Sequence, residues 1–340
     1  MSAHDLTAVA DAMVAPGKGI LAIDESNKTC NSRFEKLGIA PEPEERRAYR
    51  QLLLTTPRLG EWISGAILYD ETIRQSTADG RPFVDVMRAA GIIPGIKVDA
   101  GTVPLPGCDG ELITEGLDGL PKRVEEYYKL GARFAKWRAV IDIGDNIPSH
   151  AAIEANAHAL ARYAGLCQEQ NIVPIVEPEV LMDGAHTVER CDAVTSGVLA
   201  EVFAQLHRQR IHLEGMILKP NMVISGKKCQ TQATPEQVAA ATVRCLKRHV
   251  PSAVPGIMFL SGGQTPAQAA LHLSLMNRLG PLPWQLSFSY GRALQDAALT
   301  AWGGKAANFA AGQKEFQKWS RLNGLARSGG FSAGMEQQAA

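Results

Sequence analysis

The sequence predicts a single (β/α)8 barrel, a TIM barrel, with extra helices at its N- and C-terminal ends. Eight short apolar runs end in charged, polar or glycine-containing turns near positions 24, 69, 97, 136, 177, 219, 261 and 290. Each interval between them has room for one crossover helix, the connection that parallel strands need. The competing doubly wound sheet carries a G-x-G-x-x-G turn after its first strand, and no such turn follows this first run. Nothing between the runs reads as a linker. Residues 1–325 are therefore expected to form one domain, and the glycine-rich residues 326–340 a flexible tail.

Residues 5–15 are alanine-rich and helical in pattern, closed by Pro16-Gly17. The first strand, 19–23, ends at Asp24-Glu25-Ser26, and a helix over 44–54 leads to the second strand, 63–69. A helix over 82–90 precedes the run 91–99, which places Lys97 near its end. Gly131 stops a helix over 121–130, and the fourth strand, 133–138, puts Phe134, Lys136 and Arg138 on one face. Ser149 caps a long helix to about 170, followed by the strand 172–176 and then Glu177-Pro178-Glu179. After a helix over 188–210, the run Met216-Ile217-Leu218 stops at Lys219-Pro220. Thr234-Pro235-Glu236-Gln237 and Thr265-Pro266-Ala267-Gln268 are capping-box starts of two further helices. Between them the strand 256–260 ends at Ser261-Gly262-Gly263, and the strand 284–290 ends at Gly291-Arg292.

Basic and acidic residues are equal in number at 35 each, and the pI is near 7.1. This balance argues against a nucleic-acid or membrane-surface partner and leaves room for a small charged substrate held by a local cluster. The six cysteines contain no C-x-x-C pair and read as reduced thiols. No apolar run approaches a membrane span and no leader pattern opens the chain, so a soluble, cytoplasmic protein is expected.

Closing the barrel brings Asp24, Lys97, Lys136, Glu177 and Lys219 to one mouth, where barrel active sites lie. One lysine at a strand end is ordinarily a snorkelling side chain. Three lysines against two carboxylates are harder to explain as structure, because an unpaired buried charge costs stability. Lys219 is the candidate amine nucleophile toward a carbonyl, with Lys136 as the nearby cation that keeps it deprotonated. Glu177 is placed to move protons on and off a carbinolamine, Glu179 to orient the lysines, and Asp24 to take a proton from a substrate hydroxyl. The turns Ser261-Gly262-Gly263 and Tyr290-Gly291-Arg292 follow strands seven and eight, the usual barrel phosphate site. Ser26, Thr29, Lys97 and Arg138 are candidates for a second anion site, although Ser26 and Thr29 also suit a local cap. No histidines have a ligand spacing, and His158 and His272 fall in helical patterns, so neither metal nor other cofactor is expected.

Seven motifs in order resemble the signatures of class I fructose-bisphosphate aldolases: Gly19-Ile-Leu-Ala-Ile-Asp-Glu-Ser26, Gly95-Ile-Lys-Val-Asp99, Ala135-Lys-Trp-Arg138, Pro174-Ile-Val-Glu-Pro-Glu179, Leu218-Lys-Pro-Asn-Met222, Phe259-Leu-Ser-Gly-Gly-Gln264 and Ser287-Phe-Ser-Tyr-Gly-Arg-Ala-Leu294. The resemblance covers roughly residues 5–320. It implies a metal-independent lyase that cleaves fructose 1,6-bisphosphate reversibly into dihydroxyacetone phosphate and glyceraldehyde 3-phosphate. In that family the position matching Lys219 forms the Schiff base, and those matching Asp24, Lys136 and Glu177 serve proton transfer. Positions matching Ser261, Gly262 and Arg292 hold the phosphate beside the carbonyl, and those matching Ser26 and Lys97 help hold the distal one. The resemblance also implies a homotetramer acting in glycolysis, gluconeogenesis or the Calvin cycle.

The residues at 24–30 are closest in style to plastid and cyanobacterial members, so a mature chain in the plastid stroma is the alternative location. Sedoheptulose 1,7-bisphosphate is an alternative substrate, and a barrel scaffold without catalysis is the alternative of another class. One departure stands out. Animal and plant members typically end in a tyrosine, whereas the last tyrosine here is Tyr290.

Overall fold

Ten strands form in the computed structural model, which describes residues 3–338. They are β1 (Gly19–Ile23), β2 (Ile63–Leu68), β3 (Ile93–Lys97), β4 (Gly101–Pro104), β5 (Leu112–Glu115), β6 (Phe134–Ile141), β7 (Val173–Val180), β8 (Ile217–Leu218), β9 (Gly256–Phe259) and β10 (Gln285–Tyr290). Eight of them close into a barrel in the order β1-β10-β9-β8-β7-β6-β3-β2, all pairs parallel. The eight-stranded barrel and its helical ring are thus present. Strands β4 and β5 form a separate antiparallel hairpin over a stretch to which the sequence assigned no element.

The barrel interior is layered by strand alternation. Phe134, Ile175, Ile217 and Ala22 lie in one apolar cluster with Ile67, Val173 and Met258. The helix Ala3–Met13 closes that end of the barrel with Leu6, Ala10 and Met13. Phe134 fills the axis only because its neighbours are glycines. A Cβ on Gly95 would lie 2.2 Å from its ring, and one on Gly65 2.9 Å from it. Two residues further along each strand, the same inward face carries Lys136, Glu177, Lys219 and Asp24. The apolar plug is therefore the floor of a charged layer. The alternate residues Trp137, Val176 and Leu218 point outward into the second cluster, against the helices.

Strands β6 and β7 run further than expected, pairing from Phe134 opposite Val173 to Ile141 opposite Val180. Lys136, Glu177 and Glu179 thus sit inside strands rather than at their ends. Pro178 is tolerated because the carbonyl of Val176 faces β8, accepting from Lys219 N at 2.8 Å. The missing N–H of Pro178 has the same parity and falls beyond the end of β8. Val180 N, next on that side, is satisfied by Asn221 Oδ1 at 3.0 Å.

Both expected capping boxes form, at Thr234 with Gln237 and at Thr265 with Gln268. The segment from 326 is not free as expected. The helix Phe309–Arg327 ends with Arg327 donating to Val14 O and Gln285 Oε1. Phe331 is fully buried, and its carbonyl accepts from Ser274 Oγ and Arg278 Nη2, each at 2.7 Å. One aromatic ring in a glycine-rich run is enough to dock it. Among the described residues, no helix is long and apolar enough to cross a membrane.

Candidate active site

A cavity of about 330 Å³ opens where the barrel strands end. Asp24, Lys136, Glu177, Glu179 and Lys219 line it, as do Ser26, Thr29, Lys97, Arg138, Ser261, Gly262, Gly291 and Arg292. Two expected residues do not. Tyr290 is fully buried with its hydroxyl donating to Ala269 O at 3.0 Å, because alternation along β10 turns Ser287 and Ser289 inward and Tyr290 toward the helix Pro266–Asn277. Gly263, with φ +79°, has the ends of Lys227 and Arg292 beside the point its Cβ would occupy.

The charges in the cavity form a connected set. Lys136 Nζ lies 2.7 Å from Asp24 Oδ2, 3.4 Å from Glu177 Oε2 and 3.8 Å from Asp99 Oδ2. Lys219 Nζ lies 3.2 Å from Glu177 Oε1, and Lys97 Nζ 3.2 Å from Asp99 Oδ1. Arg138 pairs with Glu179. Glu177, Lys136 and Lys219 are each 3–4% exposed, so these interactions are little screened by water.

Burial alone would raise the Asp24 carboxyl, but the positive charges of Lys136, Lys219 and Lys97 outweigh it and hold its pKa at about 2. Burial opposes the charge of Lys136 as well, and Asp24, Glu177 and Asp99 more than compensate, so that it holds its proton well above the ordinary lysine range. Arg138 is likewise held charged by Glu179 against the cost of burial.

Three expectations change in this geometry. The surplus of lysines does not exist, because Asp99 balances it. Lys136 is not a lone cation beside Lys219, since three carboxylates enclose it, and the charge nearest Lys219 is that of Glu177. Glu179 is engaged by Arg138 rather than by a lysine.

Asp99 was legible: it stands two residues from Lys97, on the same face of an extended chain. Its carboxylate also accepts from the backbone of Gly101 and Arg138. Ser26 caps the helix Asn27–Glu35, its Oγ accepting from Thr29 N, and the residue also lines the cavity. That helix, unrecognised in the sequence, brings Arg33 to the cavity wall, where it pairs with Glu25 at 2.6 Å. Ser289 lines the wall too, signalled only by its parity with Ser287. His158 is exposed, and His272 is buried with Nδ1 2.6 Å from Gln264 Oε1. Among the described residues, no group of three or more His, Cys, Asp or Glu side chains is placed to hold a metal ion.

The profile of the fructose-bisphosphate aldolase class-I family matches residues 5–340. The chain belongs to this family. A probable class 1 fructose-bisphosphate aldolase of Xanthomonas axonopodis pv. citri is 61% identical over 330 residues, covering 97% of this chain and 99% of the relative. The fructose-bisphosphate aldolase of Dictyostelium discoideum is 54% identical, covering 97% and 93%. The solved aldolase of Plasmodium falciparum, in a ternary complex with TRAP and a small-molecule inhibitor, superposes with a TM-score of 0.96 at 47% identity, covering 97% and 96%. This class I aldolase thus shares its architecture with relatives over nearly its whole length.

Proposed function

We propose that this aldolase cleaves fructose 1,6-bisphosphate reversibly into dihydroxyacetone phosphate and glyceraldehyde 3-phosphate through a Schiff base on Lys219. One observation supports the chemistry most: Glu177 is within 3.4 Å of both buried lysines, and its Oε2, though buried, has no hydrogen-bond partner among the described residues. A carboxylate held between two ammonium groups in the wall of a cavity is suited to exchange protons with a bound substrate.

The amine of Lys219 adds to the ketose carbonyl and gives a carbinolamine. Glu177, which takes the ammonium proton as Lys219 becomes the free amine, donates it to the carbinolamine hydroxyl, which leaves as water, and an iminium remains. The carboxylate of Glu177 then accepts the proton of the hydroxyl on the neighbouring carbon. The carbon–carbon electron pair moves into the iminium, giving an enamine and releasing the aldehyde product. Protonation of the enamine at carbon and hydrolysis return dihydroxyacetone phosphate and free Lys219. Asp24, ionised at any neutral pH and bonded to Lys136, is too weak a base to keep that hydroxyl proton. Its role is to hold the Lys136 ammonium and orient the hydroxyl. Ser261, Gly262, Gly291 and Arg292 take the phosphate beside the carbonyl; Ser26, Thr29, Lys97 and Arg138, which line the same cavity, take the distal one.

The test is product formation by the purified protein with EDTA present. Cleavage that persists in EDTA and is abolished in Lys219→Arg supports the reading; a metal requirement, or full activity of Lys219→Arg, refutes it. The homotetramer, a cytosolic location and service in sugar metabolism enter this proposal on the family likeness, and light scattering on the eluted protein tests the first.

A further inference from the structure

The loops after β7 and β8 are joined edge to edge beside the Ser261-Gly262-Gly263 turn. Gly226 N donates to His186 O at 2.9 Å, Lys227 N to Met182 O at 2.7 Å and Lys228 N to Gly184 O at 3.0 Å. A Cβ on Gly226 would sit 2.3 Å from Gly184 O, so a glycine is required where the two backbones meet. The base of Lys227 is thereby fixed, while its end remains adjustable. The ammonium pairs with Asp183 Oδ1 at 2.6 Å, and the two side chains are 41% and 63% exposed.

That ammonium lies 2.5 Å from the point a Gly263 Cβ would occupy, and Arg292 Nη2 is 3.9 Å from the same point. Two cations on different loops thus flank one residue of the turn, and a side chain at 263 would displace the first of them. An exposed ammonium–carboxylate pair is held weakly. A phosphate dianion offers the same ammonium more charge and more acceptor oxygens.

We propose that Lys227 is a second cation of the phosphate site, resting on Asp183 until a sugar phosphate enters the Ser261-Gly262-Gly263 turn and then moving onto it. This rests on the reading of that turn and Arg292 as the holder of the phosphate beside the carbonyl. Lys227 is then a residue for binding and positioning, and its contribution falls on KM more than on kcat.

The probe is dihydroxyacetone phosphate, which carries only that phosphate, used as a product inhibitor of fructose 1,6-bisphosphate cleavage. Lys227→Ala is expected to raise its inhibition constant about two- to fivefold, and the KM similarly, with a smaller fall in kcat. Lys227→Arg should stay near wild type, and Asp183→Asn, which frees the ammonium, should lower the inhibition constant. An unchanged constant in Lys227→Ala, alongside a rise of about tenfold or more in Arg292→Ala, overturns the proposal and leaves the phosphate turn standing. If neither variant changes inhibition, the reading of the turn falls and the proposal with it.

Discussion

Lys219 and Lys136 share one carboxylate: Glu177 reaches the first with Oε1 at 3.2 Å and the second with Oε2 at 3.4 Å. The three groups are buried and close, so the charge of the shared carboxylate acts on both lysines with little screening by water. The shared carboxylate thereby links amine addition, loss of water and bond cleavage in one site.

Glu177→Gln keeps the shape of that carboxyl and removes its proton transfer. Turnover should fall about 10²- to 10⁴-fold, with little change in thermal stability relative to that loss. Rapid-quench kinetics should show the fall in both Schiff-base formation and cleavage. Turnover within about tenfold of wild type would remove Glu177 from the centre of the mechanism.

The acid response follows from Asp24, whose carboxyl is held at about 2 against an ordinary 3.8. A depressed carboxyl contributes stability that is complete above its unfolded pKa and is lost as pH falls through the folded one. Wild type should therefore exceed Asp24→Asn in unfolding free energy by a constant amount at neutral pH, and the gap should close between about pH 4 and about pH 2. Urea unfolding of both proteins across this range measures it, and a gap that widened on acidification would contradict the assigned ion pair.

The two phosphate sites are separable by ligand. Arg292→Ala should weaken dihydroxyacetone phosphate and fructose bisphosphate alike, by about tenfold to a hundredfold for a lost charged contact. Lys97→Ala should weaken only the bisphosphate, and by less, because Lys97 already shares its charge with Asp99. Equal weakening of both ligands by Lys97→Ala in calorimetric titrations would reverse the assignment of the two ends.

Residues 293–340 contain no tyrosine, and among the described residues none beyond Arg292 lines the cavity. A phenol is a proton donor well suited to quench the enamine, and without one that step is expected to limit turnover. An oxidant that intercepts the enamine should find it accumulated. Deleting residues 332–340 should leave tritium exchange into dihydroxyacetone phosphate nearly unchanged. Deleting from 328 should lower the melting temperature as well, because it removes the buried Phe331. A large loss of exchange in the shorter deletion would show that the segment takes part.

Strand alternation made most of this site readable. Phe134, Lys136 and Arg138 share one face in the sequence and in the barrel, and the same spacing leads from Ile175 to Glu177 and from Ile217 to Lys219. What escaped was governed by partners distant in sequence. Pro178 looked like the end of a strand, yet β8 stops before its missing N–H matters. Asp99 is the exception, because its partner Lys97 is two residues away and the pair was legible as the charge that offsets the third lysine. Tyr290 was placed at the phosphate by its neighbours Gly291 and Arg292, against the alternation that sends it outward. Phe331 sat in a run whose composition suggested disorder, and only the groove it fills explains its burial.

The claim on which the rest depends is that Lys219 forms the covalent bond. Borohydride reduction in the presence of dihydroxyacetone phosphate, followed by proteolysis and mass mapping, tests it directly. The account predicts one adduct per chain, on Lys219 alone. An adduct on Lys136 or Lys97 with Lys219 unmodified would contradict it.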